Sequence, residues 1–129
     1  QYILKRYEKH IDHGRVYMTG FSAGGGVTVK YIAAHPEQFA AMIPIAPAVN
    51  SPKKEDLTPE FANVSRWFFH TSGDMIVEVW RRKIWHKEQK NIGGDHRITR
   101  PDQDSHYAWQ AAYNSADTWE WLFKQNKNT

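Results

Sequence analysis

The chain has 129 residues, 17 basic against 14 acidic, and its net charge of +3 is spread out rather than gathered into the aromatic-interleaved basic stripe of a nucleic-acid binder. An apolar share of 40%, with six Trp, six Tyr and six Phe, excludes a disordered chain, and no run approaches the ~20 apolar residues of a membrane span. Without Cys there is no disulfide framework, no thiolate metal site and no Cys nucleophile.

The length predicts one domain over residues 1–129 with a modest core, and the first residues carry no leader pattern. Tyr2 to Lys9 reads as the tail of a helix, with Ile3, Leu4 and Tyr7 on one face, and Asp12-His13-Gly14 as a turn. Arg15 to Thr19 predicts a strand. Ala23 to Ala34 predicts a helix, stopped at His35-Pro36 because proline cannot continue it. Ala40 to Ala46 is a continuous apolar run, as in a strand covered on both faces. Pro47 to Asn63 reads as a polar connection and Val64 to Thr71 as an aromatic-rich strand in which Trp67 is core. Val77 to Lys90 has helical spacing through Val79, Trp80, Ile84 and Trp85, which predicts a core face, and Asn91 to Asp95 ends it. His96 to Thr99 predicts a strand, Asp102 to Ser105 a loop, and Tyr107 to Tyr113 a short helix. A last helix follows, with Asn114 or Ser115 as its cap, Asp117 in its first turn, and Trp119, Leu122 and Phe123 turned inward. Strand and helix alternate four times, which predicts an α/β fold of about four parallel strands flanked by helices.

Gly20-Phe21-Ser22-Ala23-Gly24 lies between the first strand and the helix after it. There a serine can sit on a tight strand-to-helix turn, provided that the residues two away are small. The helix start behind it favours developing negative charge. Alone the pattern is weak, since Ser22 could be an ordinary cap. Its weight comes from Asp74, just past the third predicted strand, and His106, just past the fourth. Ser, acid and His then stand in one chain order, each on a loop after a strand. Asp74 could also be a turn residue, since Ser72-Gly73-Asp74 is turn chemistry. Asp102 and Asp104 are rival acids, but they share the histidine's own loop. His70 lies in a buried strand and reads as packing; His96 begins its strand, at the wrong end. His10 and His13 straddle a helix end with no third ligand near, so they read as surface. Lys53-Lys54 and Arg81-Arg82-Lys83 read as solvated faces.

The chain resembles the carboxyl-terminal half of an α/β-hydrolase serine esterase. It is most similar to the group of polyhydroxybutyrate-depolymerase-like and feruloyl-esterase-like enzymes and "predicted peptidases". The resemblance runs through Asp12 to Tyr17 into Gly20 to Gly25, His35 to Ala41, and His70 to Asp74 with Ile76-Val77. It continues through His106, Trp109, Ala112-Tyr113-Asn114 and Trp119 to Leu122, nearly the whole chain. It departs from the group at Tyr107-Ala108 after the histidine, at the third glycine, Gly26, and in the roughly four strands expected before the first strand here. It implies that Ser22 attacks an ester carbonyl, that His106 takes its proton, and that Asp74 orients the imidazole. It further implies that Ala23 N–H is one oxyanion donor, that Phe21 and Trp109 line the substrate site, and that no metal or cofactor is needed. Read from the residues alone, Trp109 is rather a residue that packs under His106. The partners implied are a small or polymer-linked ester, no nucleic acid, no membrane, and a missing amino-terminal half of the same fold that supplies the second oxyanion donor. A secreted or periplasmic location also follows from it. The alternative reading is a non-catalytic module of the same fold that depends on that missing half.

Overall fold

The computed structural model describes residues 1–48, 54–77 and 79–128; side chains at 54, 79–83 and 85 lie outside the described set. A short helix, α1 (Tyr2–Arg6), and one tight helical turn lead into strand β1 (Tyr17–Phe21). Then come α2 (Ala23–Ala34), β2 (Ala41–Ile45), α3 (Pro59–Ala62), β3 (Ser65–Phe69), α4 (Val79–Ile92), β4 (His96–Thr99), α5 (Trp109–Tyr113) and α6 (Ala116–Lys124). The strands pair in the order β1-β2-β3-β4, all parallel. Because the crossovers run through helices, each strand starts from the same edge of the sheet, and the loops after the strands gather at the opposite edge.

Strand alternation divides the core between the two faces. Met18, Met42 and Phe68 join Val29 and Ile32 of α2 and Phe61 of α3 on one side. Tyr17, Phe21, Ile43, Ile45, Trp67 and Phe69 join Ala108, Ala112, Trp121 and Leu122 on the other. All five residues of β2 are buried, which accounts for the unbroken apolar run there: a strand covered on both faces has no polar side.

Several sequence expectations move. The connection before β3 holds the one-turn helix α3, with Thr58 Oγ1 accepting from Phe61 N and Pro59 at its start; residues 49–53 of that connection lie outside the described residues. Ile84 is 43% exposed rather than core, and Val79, Trp80 and Trp85 fall among the undescribed side chains. On α6, Trp121 and Leu122 are buried, whereas Phe123, expected to turn inward, is 54% exposed and stacks on Trp119. The apolar face expected on the first helix is open: Ile3 is 59% exposed and Tyr7 44%.

Arg66 is the largest fully buried side chain. Its Nε donates to Gln89 Oε1 at 2.5 Å, and its Nη1 to the carbonyls of Phe61, Ala62 and Val64 at 3.2, 3.0 and 2.8 Å. Its Nη2 donates to Gly93 O at 2.5 Å. These carbonyls cluster at the carboxyl ends of α3 and α4, where a cation is favoured. Burial lowers its pKa to about 10, so it stays charged at neutral pH. Arg66→Met strips donors from all of these acceptors at once and is expected to cost on the order of 3 kcal/mol. The check is a lower urea midpoint at unchanged slope. Arg66→Lys is expected to recover little, because one ammonium lacks the planar fork that spans the three sides.

Candidate active site

Ser22 follows β1 directly and precedes α2. Its φ of 58° and ψ of −114° put a non-glycine residue in a sparsely populated region, a conformation that costs about 1–3 kcal/mol and persists only where neighbours impose it. Ser22 N donates to Ile45 O at 2.8 Å, and Ser22 O accepts from Gly26 N and Ala48 N, both at 3.0 Å. Both sides of the strained residue are therefore tied to the end of β2 and the first turn of α2. Ala46, next to this support, also has a positive φ, 43°.

The requirement for glycine falls differently from the sequence expectation. A Cβ at Gly20 would meet the backbone of Gly24, and one at Gly25 would lie 2.7 Å from Ile45 O. A Cβ at Gly24 would meet nothing within 4 Å. The small residue two after the serine is thus not forced by close chain passage; the one three after it is, because α2 starts hard against the end of β2. Gly25→Ala is expected to lower stability by about 2 kcal/mol through overpacking, and Gly24→Ala to hold or raise it. Thermal melts of the two variants check this, and equal losses would refute it.

The loops after β3 and β4 are laced together. Ser72 N donates to Pro101 O at 2.9 Å, Gly73 N to Gln103 O at 3.0 Å and Ser72 Oγ to Asp102 Oδ1 at 2.9 Å. Thr71 Oγ1 donates to Ser105 O. Asp104 sits against Gly73, so close that a Cβ there would collide with it. This lacing carries Asp74 and His106 to one place. His106 Nδ1 lies 2.6 Å from Asp74 Oδ2, and His106 Nε2 lies 2.9 Å from Ser22 Oγ. A carboxylate only accepts, so Nδ1 carries the proton and Nε2 is left to accept from the serine hydroxyl. Asp74 Oδ1 accepts from the N–H groups of Ile76 and Val77 at 2.9 and 2.8 Å. Asp74 and His106 are 3% and 9% exposed.

Phe21 tilts against the His106 ring with centroids 4.7 Å apart. Ala23 opens α2, and among the described residues none accepts from its backbone N–H. Trp109 packs against the core cluster of α5, α6 and the sheet. The rival acids lie elsewhere: Asp102 accepts from Ser72, and Asp104 is exposed beside Gly73. His96 Nδ1 lies 3.1 Å from Gly94 O at the far edge of the sheet. His13 Nε2 lies 3.2 Å from Glu8 O, and among the described residues no three His, Cys, Asp or Glu gather as a metal site. His70 departs from its reading as a packing residue. It is 2% exposed, but its Nε2 lies 2.8 Å from Val77 O and 3.3 Å from Asp74 Oδ2. The signal available in the sequence was its place four residues before Asp74 at a strand end.

A family model described as "Serine aminopeptidase, S33" matches residues 1–121. No curated protein matches the chain. Among solved structures, a thermostable esterase superposes with a TM-score of 0.84 at 30% identity, over 97% of this chain and 35% of its own. A ferulic acid esterase superposes at 0.75 with 15% identity, over 95% of this chain and 56% of its own. An acylaminoacyl peptidase from Pyrococcus horikoshii gives 0.61 at 18% identity, over 82% of this chain and 22% of its own. The last two likenesses bear on the fold alone. The chain spans 35% and 56% of the two esterases' lengths.

Proposed function

The chain belongs to the serine aminopeptidase (S33) family of α/β-hydrolases, and from that premise we propose that it hydrolyses carboxylic esters with Ser22 as nucleophile. The observation that carries this reading is the continuous relay from Asp74 Oδ2 through His106 to Ser22 Oγ, at 2.6 and 2.9 Å. Ser22 Oγ adds to the ester carbonyl carbon while its proton passes to His106 Nε2. The resulting imidazolium is stabilised by Asp74, and the oxyanion by Ala23 N–H at the start of α2. Collapse expels the alcohol, which takes the proton from His106, and leaves an acyl-serine. Water, deprotonated by His106, attacks that acyl group; the acid leaves and the serine regains its proton. Phe21, packed on the imidazole, limits the ring's rotation and borders the place where substrate arrives. The 30% identity to a thermostable esterase supports an ester rather than an amide as substrate.

We propose further that more chain of the same fold adds to β1. Among the described residues β1 pairs with β2 alone, and Ile3 and Tyr7, which precede it in the chain, and Val27, which follows it, are exposed. An open strand edge invites pairing, and a strand added there can bring a second oxyanion donor. One such donor is worth about 2.7–4 kcal/mol of transition-state stabilisation.

The test is intact-mass measurement after incubation with a fluorophosphonate. One adduct in the wild type and none in Ser22→Ala is the expected result. Hydrolysis rates on p-nitrophenyl esters and aminoacyl p-nitroanilides then separate esterase from peptidase. A wild-type protein that stays unlabelled, also when the remaining strands are supplied, would favour the non-catalytic alternative.

A further inference from the structure

Asp74 lies between two histidines. His106 Nδ1 takes one side of Oδ2 at 2.6 Å, and His70 Nε2 approaches the same oxygen at 3.3 Å. His70 Nε2 also lies 2.8 Å from Val77 O. A carbonyl and a carboxylate can only accept, so Nε2 carries a hydrogen directed mainly at Val77 O and partly at Asp74. Val77 in turn gives its N–H to Asp74 Oδ1 at 2.8 Å. His70 therefore grips the acid both directly and through the residue that closes its turn. This grip comes from below: His70 is 2% exposed at the end of β3, whereas Met75 and Ile76 at the tip of the turn are 90% and 72% exposed. Within the tip itself, among the described residues, the backbone N–H groups of Ile76 and Val77 hold the carboxylate.

We propose that His70 is a positioning residue, which fixes the 74–77 turn and the rotamer of the Asp74 carboxylate so that Oδ2 stays aimed at His106 Nδ1. It reaches no surface that a substrate can touch, so its effect is on the relay and not on binding. Without its donor, the turn keeps its two backbone hydrogen bonds but loses the anchor at Val77 O. The carboxylate then wanders, and His106 spends part of its time without the acceptor that sets its tautomer. Small misplacements of this kind cost on the order of 100-fold in rate. The kinetic consequence rests on the reading of Ser22, His106 and Asp74 given above; the geometric one does not.

The experiment compares His70→Leu, which fills much of the space without a donor, with His70→Gln, whose amide nitrogen reaches the position of Nε2. The two readouts are kcat and KM on p-nitrophenyl acetate, and the low-field proton resonance of the His106–Asp74 hydrogen bond. His70→Leu is expected to lower kcat tenfold or more, on the order set by misplaced groups, with KM little changed, and to weaken the resonance. His70→Gln is expected to restore both. A resonance as strong in His70→Leu as in the wild type overturns the proposal, whether or not esters are cleaved. Wild-type protein that shows the resonance but cleaves no ester, also when the remaining strands are supplied, defeats the hydrolase reading instead, and the resonance alone then decides the role of His70. If His70→Leu does not fold, His70→Asn replaces it, because its amide nitrogen reaches only the position of Nδ1. Asn and Gln behaving alike would then overturn the proposal.

Discussion

Ser22→Ala is expected to remove ester turnover and fluorophosphonate labelling together, with kcat falling on the order of 10⁴–10⁶-fold. Alanine retains every backbone hydrogen bond of the elbow, since Ser22 N to Ile45 O and Gly26 N to Ser22 O involve no side chain. The urea midpoint should therefore stay close to the wild-type value while activity disappears. His106→Ala should fall by a similar factor, because a serine hydroxyl without a base is a weak nucleophile. The more demanding expectation concerns the double variant. If serine and histidine act as one device, Ser22→Ala/His106→Ala loses no more than either single variant. Multiplicative losses would mean that the two groups act independently, and full activity in His106→Ala would remove the assignment altogether. The residual rate in all three variants would reflect binding and the Ala23 N–H.

Much of this arrangement was legible because each site residue lies just after a strand that announces itself. The strand at Arg15 to Thr19 before Ser22, the aromatic strand before Asp74 and the short strand before His106 fix three loops on one edge of a parallel sheet. The strand-ending logic then brings Ser22, Asp74 and His106 together. What the sequence concealed depends on distances between segments remote in the chain. The glycine after the motif, Gly25, is needed because Ile45 O passes beside it, and nothing in Gly-Gly-Gly says which member meets that carbonyl. Arg66 is one polar residue within the predicted strand 64–71, yet it ties together the ends of two helices. His70 sits in an aromatic strand whose composition predicts packing, and only the fold reveals that its nitrogen faces Val77 O and Asp74. The outward turn of Ile3 and Tyr7 has the same origin: periodicity marks an apolar face but cannot say what lies against it.

Asp74→Asn is expected to lower kcat by about 10⁴-fold and to leave the fold intact, and the hydrogen bonds around the carboxylate say why. Ile76 N–H and Val77 N–H both point at Oδ1, at 2.9 and 2.8 Å. In an asparagine they demand an oxygen there, so the amide nitrogen must take the place of Oδ2. That nitrogen then faces His106 Nδ1 as a donor where an acceptor stood. To receive it, Nδ1 must give up its hydrogen, and the ring proton moves to Nε2. Nε2 now donates toward Ser22 Oγ and can no longer take its proton. The same amide nitrogen also faces the Nε2–H of His70, donor against donor, at the 3.3 Å separation seen for the carboxylate oxygen. The turn keeps both of its backbone hydrogen bonds, so the fold persists and the loss appears chiefly in kcat, with the buried donor-against-donor contact costing about 1–3 kcal/mol of stability. Asp104→Ala is the counterpart: its carboxylate is exposed beside Gly73 and takes part in none of the hydrogen bonds that lace the two loops. Its kcat is expected to fall by less than about tenfold, in keeping with a surface substitution. Should Asp104→Ala abolish turnover while Asp74→Asn leaves it intact, the acid would have to be reassigned to the histidine's own loop. The amide-orientation argument would then fail with it.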